Sequence, residues 1–157
     1  MLDKLPAILE AHAKWLATVG VEGERANLDG ANLYGANLYD ATLRGADLPR
    51  LTQSQLSIVP ESGSFEGWKQ CRDGVIVHLR IPAEAQRSNA TGRKCRASYV
   101  DVLAIYGADA GISLHDAAMI YRADERVSCD TWETDRWIEC GGGIHFYLTR
   151  LEAEHHD

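Results

Sequence analysis

The pattern of apolar and polar residues changes twice along the chain. Before residue 20, apolar side chains recur at the spacing of an amphipathic helix, which predicts a helix over residues 3–18 that ends at Gly20. From Ala26 to Leu48, alanine and leucine each recur at every fifth residue, in the order ANLDG, ANLYG, ANLYD, ATLRG, ADL. A period of five fits neither a helix nor a strand, and it is typical of a solenoid whose repeats pack on one another.

The five-residue period predicts that each alanine and leucine points into the solenoid. The repeats resemble the pentapeptide-repeat family, whose members form a square, right-handed, parallel β-helix with four pentapeptides to a coil. The resemblance implies little more than one coil here, with Leu33 and Leu38 buried and with Tyr34 and Tyr39 on the surface. The preceding helix is then expected to cap the coil, since an open solenoid end exposes apolar residues.

The second half of the chain has the pattern of a different fold. It follows a joint rich in glycine and serine at residues 62–67, and apolar side chains then alternate from Val75 to Ile81. This alternation predicts a strand that Pro82 ends. The other predicted elements are strands at 97–106 and 144–148, a hairpin at 119–128, and a short C-terminal helix whose capping box is Thr149 with Glu152.

These elements predict a β-rich α+β protein in two parts. Residues 1–62 are expected to form a helix-capped pentapeptide-repeat module, and residues 63–157 a small α+β domain. Three motifs of the second part resemble a C-terminal domain of unknown function that follows short pentapeptide stretches in phage and other viral proteins. They are GWKQC at 67–71, RSNATGRKCRAS at 87–98 and ECGGGIHFYLTRLEA at 139–153. The resemblance covers residues 60–154 and implies a phage-type origin, but no activity.

Composition and charge limit the classes of partner. The net charge of -7 over 157 residues argues against general nucleic-acid binding or membrane binding driven by total charge. No apolar run approaches the length of about 18 residues that a membrane span needs, and no signal-peptide run begins the chain. We therefore expect a cytoplasmic protein, located in the host cytoplasm if a phage encodes it.

A cluster of cations contradicts the overall negative charge. Arg87, Arg93, Lys94 and Arg96 lie within ten residues that contain no acidic side chain, beside the flexible Gly92. Such a cluster indicates a site for a phosphate-like anion, or else internal pairing with the acidic run at residues 130–139. Trp68 next to Lys69 adds a cation beside an aromatic ring that could stack a base. The predicted ligand-binding residues are Trp68, Lys69, Arg87, Asn89, Arg93, Lys94, Arg96 and His145.

The cysteines allow two further hypotheses. Cys140 is followed by three glycines and then His145, which would suit a nucleophile, a loop of backbone donors and a base. The four cysteines could also bind zinc together with histidines, but zinc ligands normally come in close pairs, so free thiols are the better interpretation and no metal is predicted. The residues weighed for zinc are Cys71, Cys95, Cys129 and Cys140 with His78, His115 and His145.

The function predicted from the sequence is that of a non-enzymatic, phage-type accessory binding protein without a cofactor. Its expected partner is a phosphate-bearing, nucleotide-like small molecule or a host protein, in a host-interaction or anti-defence role. One alternative is a structural module that self-associates through the edge of the β-helix, and another is an enzyme with Cys140 as nucleophile and His145 as base. We do not expect the β-helix to mimic a DNA duplex, because one coil advances only about 4.8 Å along its axis and is far too short to do so.

Overall fold

The structure is a computed structural model that describes residues 5–27, 43, 48 and 50–156. The described chain is rich in β-strands, with an N-terminal helix and two shorter helices. None of the helices described is long and apolar enough to cross a membrane. The helices are α1 (Leu5–Ala17), α2 (Arg50–Leu56) and α3 (Arg150–Glu154), and the strands are β1 (Phe65–Gln70), β2 (Ile76–Ile81), β3 (Arg87–Asn89), β4 (Cys95–Ala97), β5 (Tyr99–Tyr106), β6 (Gly111–Ile112), β7 (Ile120–Tyr121), β8 (Arg126–Ser128) and β9 (Ile144–Phe146).

The N-terminal helix predicted from the apolar spacing is confirmed as α1. It ends where the backbone enters the left-handed region, at Val19 with a φ of 54° and Gly20 with a φ of 86°. The Gly20 amide donates a hydrogen bond to the Trp15 carbonyl at 2.8 Å, which satisfies one of the last carbonyls of the helix.

The helix contacts the first residues of the repeats. His12 is buried, and its Nδ1 accepts a hydrogen bond from the amide of Ala26 at 3.2 Å. Ala26, Leu43 and Leu48 are all buried, as the inward positions of the five-residue period predict. The other predicted inward and outward positions of the repeats, Leu33, Leu38, Tyr34 and Tyr39, lie outside the described residues.

The strands that the structure describes form three antiparallel sheets. The largest has the strand order β1-β2-β5-β8, the second has the order β3-β4-β9, and the third pairs β6 with β7. A bridge joins the first two sheets, because Trp68 and Tyr147 exchange two backbone hydrogen bonds of 2.7 Å. The core lies between these sheets and contains alternate residues of β2, namely Val77, Leu79 and Ile81.

Gly67 is required where β1 crosses β9. A Cβ atom at this position would lie 2.6 Å from the ring of Phe146, which is closer than van der Waals contact permits. The next inward residue of β1 is Lys69. Trp68, which lies between Gly67 and Lys69 in the sequence, points to the opposite face of the strand.

Two of the predicted elements are corrected by the structure. Residues 119–128 do not form a hairpin, because β7 pairs with β6 whereas β8 pairs with β5. The single strand predicted at 97–106 is interrupted at Ser98, where the chain passes from the second sheet to the first. Apolar residues occupy both faces of this stretch, Val100 and Val102 on one and Tyr99, Leu103 and Ile105 on the other, so the sequence pattern gave no clear sign of the change of sheet. The strand at β2 and the capping box of Thr149 with Glu152 are confirmed.

Candidate functional site

A cavity of about 490 Å³ lies beside β1, β7 and β9, within the size range of small-molecule sites. Its walls come from those strands, from the loops before β4, between β6 and β7 and before β9, and from the segment after α3. We call it the lysine cavity. It is lined by Lys69, Lys94, Ser113, His115, Asp116, Met119, Tyr121, Cys140, Gly143, Ile144, His145 and His156.

Lys69 is the most unusual side chain of the lysine cavity. It points inward from β1 and is only 8% exposed. Its Nζ donates a hydrogen bond to the carbonyl of His145 at 3.3 Å and lies 5.8 Å from the centre of the Tyr121 ring. Burial lowers the pKa of Lys69 below its ordinary value of 10.5, because an ammonium group loses its hydration there. Within residues 50–156, this lysine has no carboxylate partner.

Lys94 brings a second ammonium group to the same cavity. Its Nζ lies 3.5 Å from Cys140 Sγ, and Cys140 is exposed. Asp116 is the one carboxylate that lines the cavity among the described residues, and its Oδ1 accepts a hydrogen bond from the amide of Ala118 at 2.9 Å. The lysine cavity therefore has more positive than negative side chains, in a chain whose net charge is -7.

His145 contributes a neutral imidazole. Burial, with the charges of Lys94 and Lys69 as further causes, lowers its pKa from 6.5 to about 4. Its Nε2 lies 3.2 Å from the carbonyl of Glu139, and only a protonated nitrogen can donate to that oxygen. In the neutral imidazole, Nδ1 is then the hydrogen-bond acceptor.

The hypothesis of a catalytic pair, Cys140 with His145, gains one feature from the structure and loses another. Both residues line the lysine cavity, so the fold brings them to one site. However, the thiol contacts Lys94 and the imidazole contacts the Glu139 carbonyl, so each group takes another partner. An imidazole with a pKa of about 4 is also a weak base for removing a thiol proton.

The structure separates Trp68 from Lys69. Adjacent residues of a strand point to opposite faces, so Trp68 faces away from the lysine cavity. Its ring stacks on His78, with ring centres 4.0 Å apart, and the guanidinium of Arg150 lies 5.8 Å from the Trp68 ring centre. The two neighbours therefore cannot act on one ligand in the way that the sequence suggested.

Two more of the predicted binding residues hold the chain together elsewhere. Arg87 donates hydrogen bonds to the carbonyls of Gly63, Pro82, Ala83 and Ala85, at 2.5–3.1 Å. The buried side chain of Asn89 accepts from the amide of Ile58 at 3.0 Å and donates to the carbonyl of Leu56 at 2.9 Å. Asn89 thus joins the segment after α2 to β3.

Arg93 and Arg96 have partners within the chain. Arg93 forms an ion pair of 2.6 Å with Glu152, the residue that completes the capping box of α3. Arg96 is 1% exposed and donates to the carbonyls of Glu133, Asp135 and Gly142 at 2.9–3.3 Å. Arg96 therefore contacts the acidic run at residues 130–139, but through the backbone oxygens of Glu133 and Asp135 rather than through the carboxylate pairing that the sequence left open.

Several side chains of the lysine cavity went unnoticed in the sequence. Tyr121 lies on β7, whereas Ser113 and Met119 lie in the loop that joins β6 to β7, and each of these strands has only two residues. Strands of that length give no periodic signal. From this loop only His115 was singled out in the sequence, as one of the residues weighed for zinc.

The four cysteines are free thiols. Cys71 and Cys95 are buried, and burial raises the pKa of Cys71 to about 11 and that of Cys95 to about 12. Cys129 is half-buried, which also raises its pKa. No group of three or more histidine, cysteine or acidic side chains suited to a metal ion occurs among the residues that the structure describes.

Comparison with known proteins divides the chain as the two resemblances did. The model of a family of unknown function, DUF5758, matches residues 55–153. A second family model, described as pentapeptide repeats (8 copies), matches residues 24–50. The searches of curated proteins and of solved structures each found no match.

Proposed function

The chain belongs to the DUF5758 family, whose description gives no activity, and we propose that its second part is a non-enzymatic binding module for a small anion. The ligand is held in the lysine cavity and carries a phosphate group, as in a nucleotide-like small molecule. Lys69 and Lys94 supply the positive charge that the phosphate requires.

The observation that carries this proposal is the burial of the Lys69 amino group without a carboxylate partner among the described residues. Buried charges in proteins are normally paired, because removing an ion from water costs several kcal/mol that a single neutral acceptor does not offset. Lys69 has one carbonyl acceptor and one aromatic ring near its Nζ. An anion entering the cavity supplies the missing counter-charge.

The other walls of the lysine cavity suit the same class of ligand. The Ser113 hydroxyl is a donor for phosphate oxygens, and the His145 imidazole offers an acceptor to a sugar hydroxyl or a base. Tyr121 and Met119 give the cavity an apolar wall, as is usual in small-molecule sites. The cavity therefore combines several polar and charged side chains with an apolar wall.

The proposal includes the architecture and the biological setting predicted from the sequence. The contact of His12 with Ala26 supports a helix that caps a short right-handed β-helix, and the burial of Leu43 and Leu48 supports the inward positions of its coil. A module at residues 1–62 and a domain at residues 63–157 then make a phage-type accessory protein of the cytoplasm. A host protein remains a further proposed partner.

A thermal-shift panel tests the ligand. We expect at least one mononucleotide, cyclic nucleotide or nicotinamide-type cofactor to raise the melting temperature, since a ligand that binds only the native state stabilises it. Lys69→Met and Lys94→Gln should each remove the shift. Lys14→Gln on α1, where Lys14 pairs with Glu22 at the surface, is the matched control and should keep it. A panel without any stabilising compound would refute the proposal.

The enzyme hypothesis rests on the shared position of Cys140 and His145 in the lysine cavity. It differs from the binding proposal in one measurable respect. Cys140→Ser keeps both lysines. If the protein is a binding module, the variant keeps the thermal shift, and neither the variant nor the unaltered protein changes the ligand chemically. If the protein is an enzyme that acts through Cys140, the unaltered protein converts the ligand and the variant does not. Mass spectrometry of the recovered ligand separates the two cases.

A further inference from the structure

A second cavity, of about 680 Å³, lies between α2 and the second sheet. Three arginines line it, namely Arg50 at the start of α2, Arg87 on β3 and Arg136 in the loop before β9. Glu61 is the one acidic residue among the described residues of its lining. We call it the arginine cleft, and none of its arginines lines the lysine cavity.

Backbone hydrogen bonds hold two arginines of the cleft in place, but no carboxylate among the described residues neutralises the three positive charges. Arg136 donates to the carbonyls of Gln53 and Asn89 at 3.3 and 3.1 Å, and Arg87 donates only to backbone carbonyls. A carbonyl satisfies an N–H group but leaves the charge of the guanidinium in place. In the part of the chain that the structure describes, no carboxylate forms an ion pair with any of these three arginines.

One guanidinium nitrogen of the arginine cleft is a hydrogen-bond donor without an acceptor among the described residues. The Nε of Arg136 is buried and has no hydrogen-bond acceptor among the described residues. A buried donor without an acceptor is rare in folded proteins, and a ligand oxygen or an ordered water usually satisfies it. The side chains of Ser54 and Ser57 on the α2 side add hydroxyl groups to the same lining.

We propose that the arginine cleft is a second anion site, which binds an oxyanion with two or more negative charges. Planar guanidinium groups bind the paired oxygens of phosphate or carboxylate in a fork, whereas the ammonium groups of the lysine cavity act as point charges. The cleft is lined from α2 and from β3, so an anion there ties the segment after the repeats to the second sheet. This site is independent of the ligand proposed for the lysine cavity.

Calorimetric titration of the full chain with pyrophosphate, and separately with citrate, tests the site. We expect one or both to bind, with an affinity that falls as salt concentration rises. The two probes distinguish a phosphate ligand from a carboxylate ligand. Ser54→Glu places a negative charge in the cleft and should weaken binding at least tenfold, and Arg50→Gln should weaken it severalfold.

Matched variants make the result specific to the arginine cleft. Ser128→Glu is the same change on the exposed β8 strand, outside the lining of both cavities, and should leave the affinity unchanged. Lys69→Met should also leave it unchanged. The proposal is overturned if neither probe binds, if Ser54→Glu binds as well as the unaltered protein, or if Lys69→Met removes the binding. None of these results depends on whether a nucleotide binds the lysine cavity.

Discussion

Replacing Lys69 by methionine should make the free protein more stable and remove its ligand. Methionine has nearly the length of the lysine side chain and fills the same space without a charge. The substitution is informative because Lys69 is 8% exposed and has only a carbonyl and an aromatic ring near its Nζ. A lysine retained for stability and a lysine retained for binding predict opposite changes in the free energy of unfolding.

The expected magnitude follows from the contacts of Lys69. The variant loses one hydrogen bond, of about 0.5–1.5 kcal/mol, and a contact with the Tyr121 ring of about 0.5–2 kcal/mol. The variant also avoids the free-energy cost of removing an unpaired ammonium group from water, which is several kcal/mol. Replacing buried ions by apolar side chains is often stabilising by about 1–4 kcal/mol, and for a chain of this size each 1 kcal/mol raises the melting temperature by about 2–4 °C.

The pH dependence of the free energy of unfolding gives a second, independent test of the same prediction. Because burial lowers the folded-state pKa of Lys69, the unfolded chain holds more protons between that value and 10.5. The stability of the unaltered protein therefore rises with pH through this window, and the advantage of Lys69→Met narrows as pH approaches 10.5. Urea titrations at several alkaline pH values measure both quantities. A variant that is less stable than the unaltered protein at neutral pH would refute the reasoning.

Three other predictions concern different contacts. The unaltered protein should lose stability as pH falls from 6.5 to about 4, because the His145 imidazole takes up a proton in the unfolded chain at a higher pH than in the folded protein. His145→Gln should remove this loss. Urea titration should show that the free energy of unfolding of the unaltered protein falls by about 3 kcal/mol more than that of the variant across this pH range. A thiol reagent should modify the exposed Cys140 in the native protein and reach the buried Cys95 only in denaturant, and mass spectrometry should show that the Cys140 adduct blocks nucleotide binding. Gly67→Ala should lower the free energy of unfolding by about 1–3 kcal/mol in denaturant titrations, because the added methyl group overlaps the ring of Phe146, and an unchanged value would contradict the close packing there.

The sequence predicted those elements whose signal is local. The alternation in β2, the helical spacing of α1 and the capping box of Thr149 with Glu152 each involve residues close together in the chain, and all three are confirmed. The hairpin at 119–128 was wrong because strand pairing is a long-range property. A turn at Asp124, where φ is 65°, looks the same in sequence whether the flanking strands pair with each other or with different neighbours.

The candidate site was predicted only in part, for a similar reason. The sequence identified Lys69, Lys94 and His145 individually, and the fold places them on one cavity although they come from three different strand regions. It also grouped Arg93 and Arg96 with them because they are cations close in sequence. Burial and the partners Glu152, Glu133 and Asp135 decide their roles, and neither property can be read from spacing.

The most direct test of the central claim is the pKa of Lys69, measured by NMR of the lysine side chains with and without a stabilising nucleotide. Lys69→Met identifies the signal by its absence. The account predicts a depressed pKa in the free protein that rises when the ligand binds, because a phosphate near the Nζ favours the charged form. A pKa that stays the same in the presence of saturating ligand would show that the anion does not meet Lys69, and it would contradict the proposed function.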